Sequence, residues 1–93
     1  MAKKEVDQNI QEIKTAIENK KNIFGVKETI KSLSKGELHK VFVAKNVPQD
    51  IRDDLEHYCK VAKVDLVVLA QDNEEIGILV KKNFFVSVIG ILQ

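Results

Sequence analysis

The sequence predicts an α/β fold, a three-layer α/β/α sandwich with a central four-stranded mixed sheet and helices on both faces. Two observations predict it. Segments of helical and strand-like period alternate along the 93 residues, with no repeat, low-complexity stretch or Pro/Gly linker between them. Two strand-like segments, Val41-Phe42-Val43-Ala44 and Leu66-Val67-Val68-Leu69, are continuous apolar runs, as expected of strands covered on both faces. The length suits one domain, residues 1–93.

Val6, Ile10, Ile13 and Ile17 recur at helical spacing and predict an amphipathic helix over 5–19, with Lys20 and Lys21 at its end to complement the dipole. Residues 22–24 read as a short strand that runs into Gly25. Val26, Ile30 and Leu33 set the buried stripe of a second helix, which Gly36 can terminate. The apolar run at 41–44 is the second strand, and Asn46-Val47-Pro48 stops it.

Pro48 suits the first position of a third helix over 48–63, and Asp50, Asp53 and Asp54 favour its N-terminus electrostatically. Its expected core stripe is Ile51, Leu55, Tyr58, Cys59 and Ala62. Residues 66–69 form the third strand. Asp72 and Glu75 have capping-box spacing, which predicts a short helix over 73–80 that buries Ile76, Leu79 and Val80. Phe84 through Leu92, rich in β-branched and aromatic residues, reads as the last strand.

With 44% apolar and 31% charged residues the composition is that of a globular domain, not a disordered one. One cysteine excludes an internal disulfide framework and suits a reducing compartment. No N-terminal apolar run resembles a signal peptide and no stretch is long enough to span a membrane, so the expected location is the cytoplasm. Net charge is only +1, but it is unevenly spread. Residues 25–45 carry five lysines against Glu28 and Glu37, a local +3, whereas residues 50–56 carry four carboxylates against Arg52, a local −3. One face can attract phosphates while another does not.

Enzyme signatures are missing. Neither G-x-G-x-x-G nor G-x-x-x-x-G-K-[ST] occurs, so no nucleotide cofactor site is indicated. His39 and His57 stand apart with no metal-ligand pattern and read as structural or surface histidines. Cys59 falls on a core stripe and reads as an inert buried thiol. The carboxylates at 50–56 are explained by an acidic helix start. The expectation is no catalytic residue, no cofactor and no metal.

Recognition surfaces fare better. Three junctions are expected at one end of the sandwich: residues 25–31, Lys45-Asn46, and the segment from Glu74 to Val86. Together they offer glycine, lysines, a carboxylate, an amide and a small apolar platform, which suits splayed-out RNA bases. A glycine ahead of a helix also lets another backbone approach uncapped N–H groups.

Four segments carry a resemblance along nearly the whole chain. Gly25-Val26-Lys27-Glu28-Thr29-Ile30-Lys31 is similar to G-x-K-x-T-[IV]-K, and Lys40 through Asn46 to a K-hydrophobic-A-x-N strand. Asp54-Leu55-Glu56-His57-Tyr58 resembles an acidic-to-tyrosine patch, and Asn73-Glu74-Glu75-Ile76-Gly77 resembles N-x-E-L-G. The pattern is that of the ribosomal kink-turn-binding superfamily of the seven-Ae type, nearest its large-subunit thirty-e branch. Lys27, where other branches have asparagine, favours that branch.

The resemblance implies a non-catalytic protein of the large ribosomal subunit that binds a kink-turn, an RNA bend built on tandem sheared G·A pairs. Its partners would be RNA and neighbouring ribosomal proteins, with no membrane, and the free protein would be monomeric. The implied RNA-binding residues are Gly25, Lys27, Glu28, Thr29, Lys31, Lys45, Asn46, Ile76, Gly77, Phe84 and Val86. Among them Gly25 admits close backbone approach, Lys27, Glu28 and Lys31 meet guanine edges and phosphates, and Phe84 and Val86 pack on exposed bases. One departure is Lys81, where the family usually has glycine. A protein-interaction module of the same superfamily is the competing reading; a flat salt dependence of RNA association would favour it.

Overall fold

The computed structural model describes the backbone of residues 2–93 and the side chains of residues 8–93. Eight elements alternate: α1 (Ala2–Glu18), β1 (Asn22–Phe24), α2 (Val26–Ser34), β2 (Leu38–Val43), α3 (Gln49–Ala62), β3 (Asp65–Val68), α4 (Asn73–Leu79) and β4 (Val88–Leu92). Val6, expected on the buried stripe of α1, lies outside the described side chains. The strands form one mixed sheet in the order β1-β4-β2-β3, with β4 antiparallel to both neighbours and β2 parallel to β3.

The alternation of β2 divides the interior into two layers. Phe42 and Ala44 face α1 and α4, packing with Ile13, Ala16, Ile76, Val80, Ile89 and Ile91. Val41 and Val43 face α2 and α3, packing with Leu33, Leu55, Cys59 and Val88. A register irregularity between Leu38 and Lys40 turns Leu38 into the second layer, out of step with the strand's alternation. There it covers Gly90, where a Cβ would lie 3.2 Å from the Leu38 methyls and 3.5 Å from Thr29 Oγ1. Gly90 therefore lets α2 settle close to the sheet.

Three expectations are corrected. The last strand begins at Val88, not Phe84. Its ladder partners run out there, since Phe24 pairs with Ile89 and Val43 with Val88, and residues further back have no strand to join. The third strand is an edge strand with Val68 39% exposed, so its apolar run is covered on fewer sides than it predicts. Tyr58 is 39% exposed. It lies at the margin of the α3 stripe, where Leu55 and Cys59 already fill the core.

Pro48, expected at the first position of α3, is instead its extended N-cap (φ −56°, ψ 142°), so that helix begins at Gln49. Asp72 Oδ1 accepts from Glu75 N–H (2.9 Å) and Glu75 Oε1 accepts from Asp72 N–H (3.1 Å), completing the capping box of α4. The helices α1 to α4 stop in the same reverse turn, with a residue one or two positions past the helix in the left-handed region. That residue is Gly36 (φ 69°) after α2, but Lys20 (φ 57°), Lys63 (φ 59°) and Lys81 (φ 60°) after the others.

Candidate nucleic-acid interface

Gly25 links β1 to α2 with φ 100° and ψ 155°, a conformation that favours glycine. Its N–H donates to Val88 O (3.0 Å), which anchors the junction to β4. Its carbonyl accepts from Thr29 N–H (3.2 Å) and from Thr29 Oγ1 (2.7 Å). No side chain caps the helix, so the N–H groups of Val26, Lys27 and Glu28 precede its first internal bond. Gly25, Lys27, Glu28 and Lys31 are exposed together at this end.

Thr29 is not exposed with them. It is fully buried against the sheet, and its hydroxyl is spent on Gly25. The helical period places it one face away from Lys27, Glu28 and Lys31, so its contribution is to hold the Gly25 carbonyl.

The second and third junctions meet through paired amides. Asn46 Oδ1 accepts from Asn73 N–H (3.0 Å), and Asn46 Nδ2 donates to Asn73 Oδ1 (3.1 Å). Asn73 O in turn accepts from Val86 N–H (3.1 Å). Lys45 is exposed beside them, its own N–H held by Gln71 O (2.9 Å). Asn73 thus ties the exit of β2, the start of α4 and the 83–87 segment together. The sequence alone assigns Asn73 no role, because a bond between residues 27 positions apart leaves no periodic trace.

Ile76, Gly77 and Val86 are also buried. Ile76 (1% exposed) and Val86 (2%) belong to the α1/α4 core layer, so neither can pack on a base. Gly77 is buried, and a Cβ on it would lie 2.5 Å from Phe84 O. Only glycine lets the 83–87 segment lie so close to α4. The aromatic platform is Phe84 and Phe85, 51% and 67% exposed.

The two rings border two depressions. One, about 430 Å³, is lined by residues 24–26 and 84–88, including Gly25; the other, about 210 Å³, is lined by residues of α4 and the 82–85 segment. Phe24 meets Phe84 edge-on with centroids 6.2 Å apart, and Lys82 Nζ lies 5.5 Å from the Phe24 ring centroid. The arrangement offers an aromatic ridge for stacking, helix N–H groups and a carboxylate for polar base edges, and lysines for phosphate.

Lys40 is outside this surface. It is half-buried and donates to Glu12 Oε1 (3.0 Å), fastening β2 to α1. Burial pushes the Cys59 thiol up to about 11, so it remains an unreactive thiol. Among the described residues no group of three or more His, Cys, Asp or Glu side chains could hold a metal ion, and no helix is long and apolar enough to cross a membrane.

Comparison with known proteins gives concordant results. A family model described as "Ribosomal protein L7Ae/L30e/S12e/Gadd45 family" matches residues 7–93. A protein of Sulfurisphaera tokodaii named "Large ribosomal subunit protein eL30" is 33% identical over 82 residues, covering 88% of this chain and 77% of the relative. Its namesake in Eremothecium gossypii is 33% identical over 94 residues, covering 100% of this chain and 90% of the relative. Among solved structures, the Giardia lamblia 15.5kD RNA binding protein superposes with a TM-score of 0.85 at 19% identity, covering 96% of this chain and 75% of that one. At that identity the superposition speaks for the shared fold.

Proposed function

Because the chain belongs to the ribosomal protein L7Ae/L30e/S12e/Gadd45 family, we propose that it is an RNA-binding component of the large ribosomal subunit. On this reading it works in the cytoplasm as one domain over residues 1–93, without catalysis, and recognises a kink-turn. The observation that carries the reading is the groove between the uncapped, Gly25-headed start of α2 and the exposed Phe84-Phe85 ridge.

Each group then has a task that its chemistry suits. The Glu28 carboxylate accepts from a guanine amino group, a donor that distinguishes guanine from adenine at that edge. Lys27, Lys31 and Lys45 meet phosphates and fix the register. Phe84 and Phe85 stack on an unpaired base. Gly25 keeps the approach open, since nothing of the protein lies within 4 Å of where its Cβ would be. Asn46, Asn73, Thr29, Ile76, Gly77 and Val86 hold these surfaces in place.

A gel-shift comparison tests the reading directly. Binding should be tight to an RNA with tandem sheared G·A pairs and largely lost when those pairs become Watson–Crick pairs. Equal binding to both RNAs overturns the kink-turn assignment. Glu28→Ala should reduce that discrimination more than Lys35→Ala, since Lys35 is an exposed lysine at the far end of α2.

A further inference from the structure

A second cleft lies away from the groove, between the C-terminal ends of α1 and α4. It encloses about 200 Å³ and is lined by Lys14, Ile17 and Glu18 from one helix and by Leu79, Val80 and Lys81 from the other side. Lys14, Lys81 and Lys82 are exposed, and among the described residues none of the three forms an ion pair. Among the described residues, Glu18 is the one carboxylate that lines the cleft.

Two consecutive lysines, Lys81 and Lys82, connect the cleft to the groove. Lys82 Nζ lies 5.5 Å from the Phe24 ring centroid, and Phe24 meets Phe84 at 6.2 Å; both rings line the groove. Lys82 therefore stands at the groove's rim. Lys81 is the next residue back and borders the cleft, with Lys14 opposite. The backbone aims this pair: Lys81 N–H donates to Ile78 O (3.1 Å) and Lys82 N–H to Gly77 O (2.9 Å), closing α4 with Lys81 at φ 60°.

We propose that Lys82, Lys81 and Lys14 form a second phosphate-binding edge, which carries the RNA backbone leaving the groove across the α1/α4 face. The proposal rests on the RNA-binding reading above and extends its footprint. A phosphodiester strand crossing this edge meets the ammonium groups of Lys14, Lys81 and Lys82, with Glu18 in the cleft and Glu74 near Lys82 as the opposing carboxylates, over an apolar floor that gains from losing water. Left-handed geometry alone does not imply this role, because Lys63 adopts it on the opposite layer. Lys63 is thus the matched control, with the same residue type and turn but no place on the edge.

The test uses two RNAs with the same kink-turn, one trimmed to its core and one with both stems extended by a helical turn. Each is titrated at several salt concentrations with the full chain and with Lys14→Gln, Lys81→Gln, Lys82→Gln and Lys63→Gln. On the extended RNA each edge variant should lose several-fold in affinity and flatten the plot of log affinity against log salt by roughly 0.7–0.9. Lys63→Gln should match the parent, and the trimmed RNA should not separate the variants. Lys81→Gly, which relieves the backbone, should show the same loss without any fall in unfolding midpoint. Equal slopes for Lys81→Gln and Lys63→Gln on the extended RNA would overturn the proposal. Failure of the kink-turn reading shows separately, as equal binding of the parent to the core RNA and to its G·A-replaced version, and the slopes on the extended stems still decide the edge.

Discussion

The side-chain amide of Asn46 is bonded twice to Asn73, accepting its backbone N–H at 3.0 Å and donating to its Oδ1 at 3.1 Å. Two loops far apart in sequence are set side by side through this pair. Asn46→Ala removes both bonds at an exposed site, so stability should fall by about 1 kcal/mol in urea unfolding. Asn46→Asp keeps the acceptor for Asn73 N–H, and the Asn73 amide can turn its NH₂ toward the new carboxylate. Its unfolding midpoint should stay near the parent while RNA affinity drops, because the added negative charge faces phosphate. A midpoint loss in Asn46→Asp as large as in Asn46→Ala would contradict this division.

Gly77 touches the platform from beneath. A methyl group there would lie 2.5 Å from Phe84 O, which is backbone and cannot swing aside. Gly77→Ala should therefore push the 83–87 segment off α4, costing on the order of 1–3 kcal/mol. Hydrogen exchange would show faster exchange at Val86 N–H, whose acceptor is Asn73 O. An unchanged exchange rate at Val86 would mean that the segment absorbs the methyl without moving.

Phe85 and Val86 are neighbours with opposite duties. Phe85→Ser should leave the unfolding midpoint nearly unchanged and weaken RNA binding, since the ring is 67% exposed. Val86→Ala should do the reverse in first effect, losing about 2 kcal/mol of stability from a side chain only 2% exposed. Measuring midpoint and affinity for both variants separates platform from support.

The left-handed lysines make the helix ends improvable. Lys20→Gly and Lys63→Gly should each raise stability by about 1 kcal/mol, because glycine pays no Cβ penalty at φ 57° and φ 59°. Gly36→Ala, at φ 69°, should lower it by a similar amount. The two lysine changes lie at the ends of different helices and should add. Thermal or denaturant midpoints check all three.

Cys59 makes stability fall in alkali. Its thiol is pushed from the ordinary 9.0 up to about 11 by burial, so the folded state holds its proton more tightly than the unfolded chain. That contribution is fully present below pH 9 and is lost as the pH rises toward 11. Cys59→Ala should remove this part of the alkaline decline. A thiol reagent at pH 8 should label the folded protein far more slowly than the protein in urea.

Much of this was legible in the residues. Helical spacing, the Asp72/Glu75 capping box and Gly36 located the helices because each is a local device, complete within one or two turns. The apolar run at 41–44 located the strand at the centre of the sheet for the same reason. The recognition end was legible through Gly25, whose neighbours Lys27, Glu28 and Lys31 do share one exposed face. The resemblance of four spaced segments pointed to the family that the comparisons then showed.

What the chain by itself determined was therefore the identity and order of its elements, and the chemistry gathered at one end. Tertiary structure decided which members of that chemistry face outward. Thr29 and Ile76 sit within motif segments, and Val86 within the third junction, yet all three are buried, because burial depends on what packs opposite and not on neighbours in sequence. The 84–87 segment has strand-forming residues but no ladder, since β1 and β2 end before reaching it. That shortage of partners leaves Phe84 and Phe85 exposed beside Gly25. A strand is a property of two chains' backbones meeting, so its limit is set across the sheet and is written in neither segment alone.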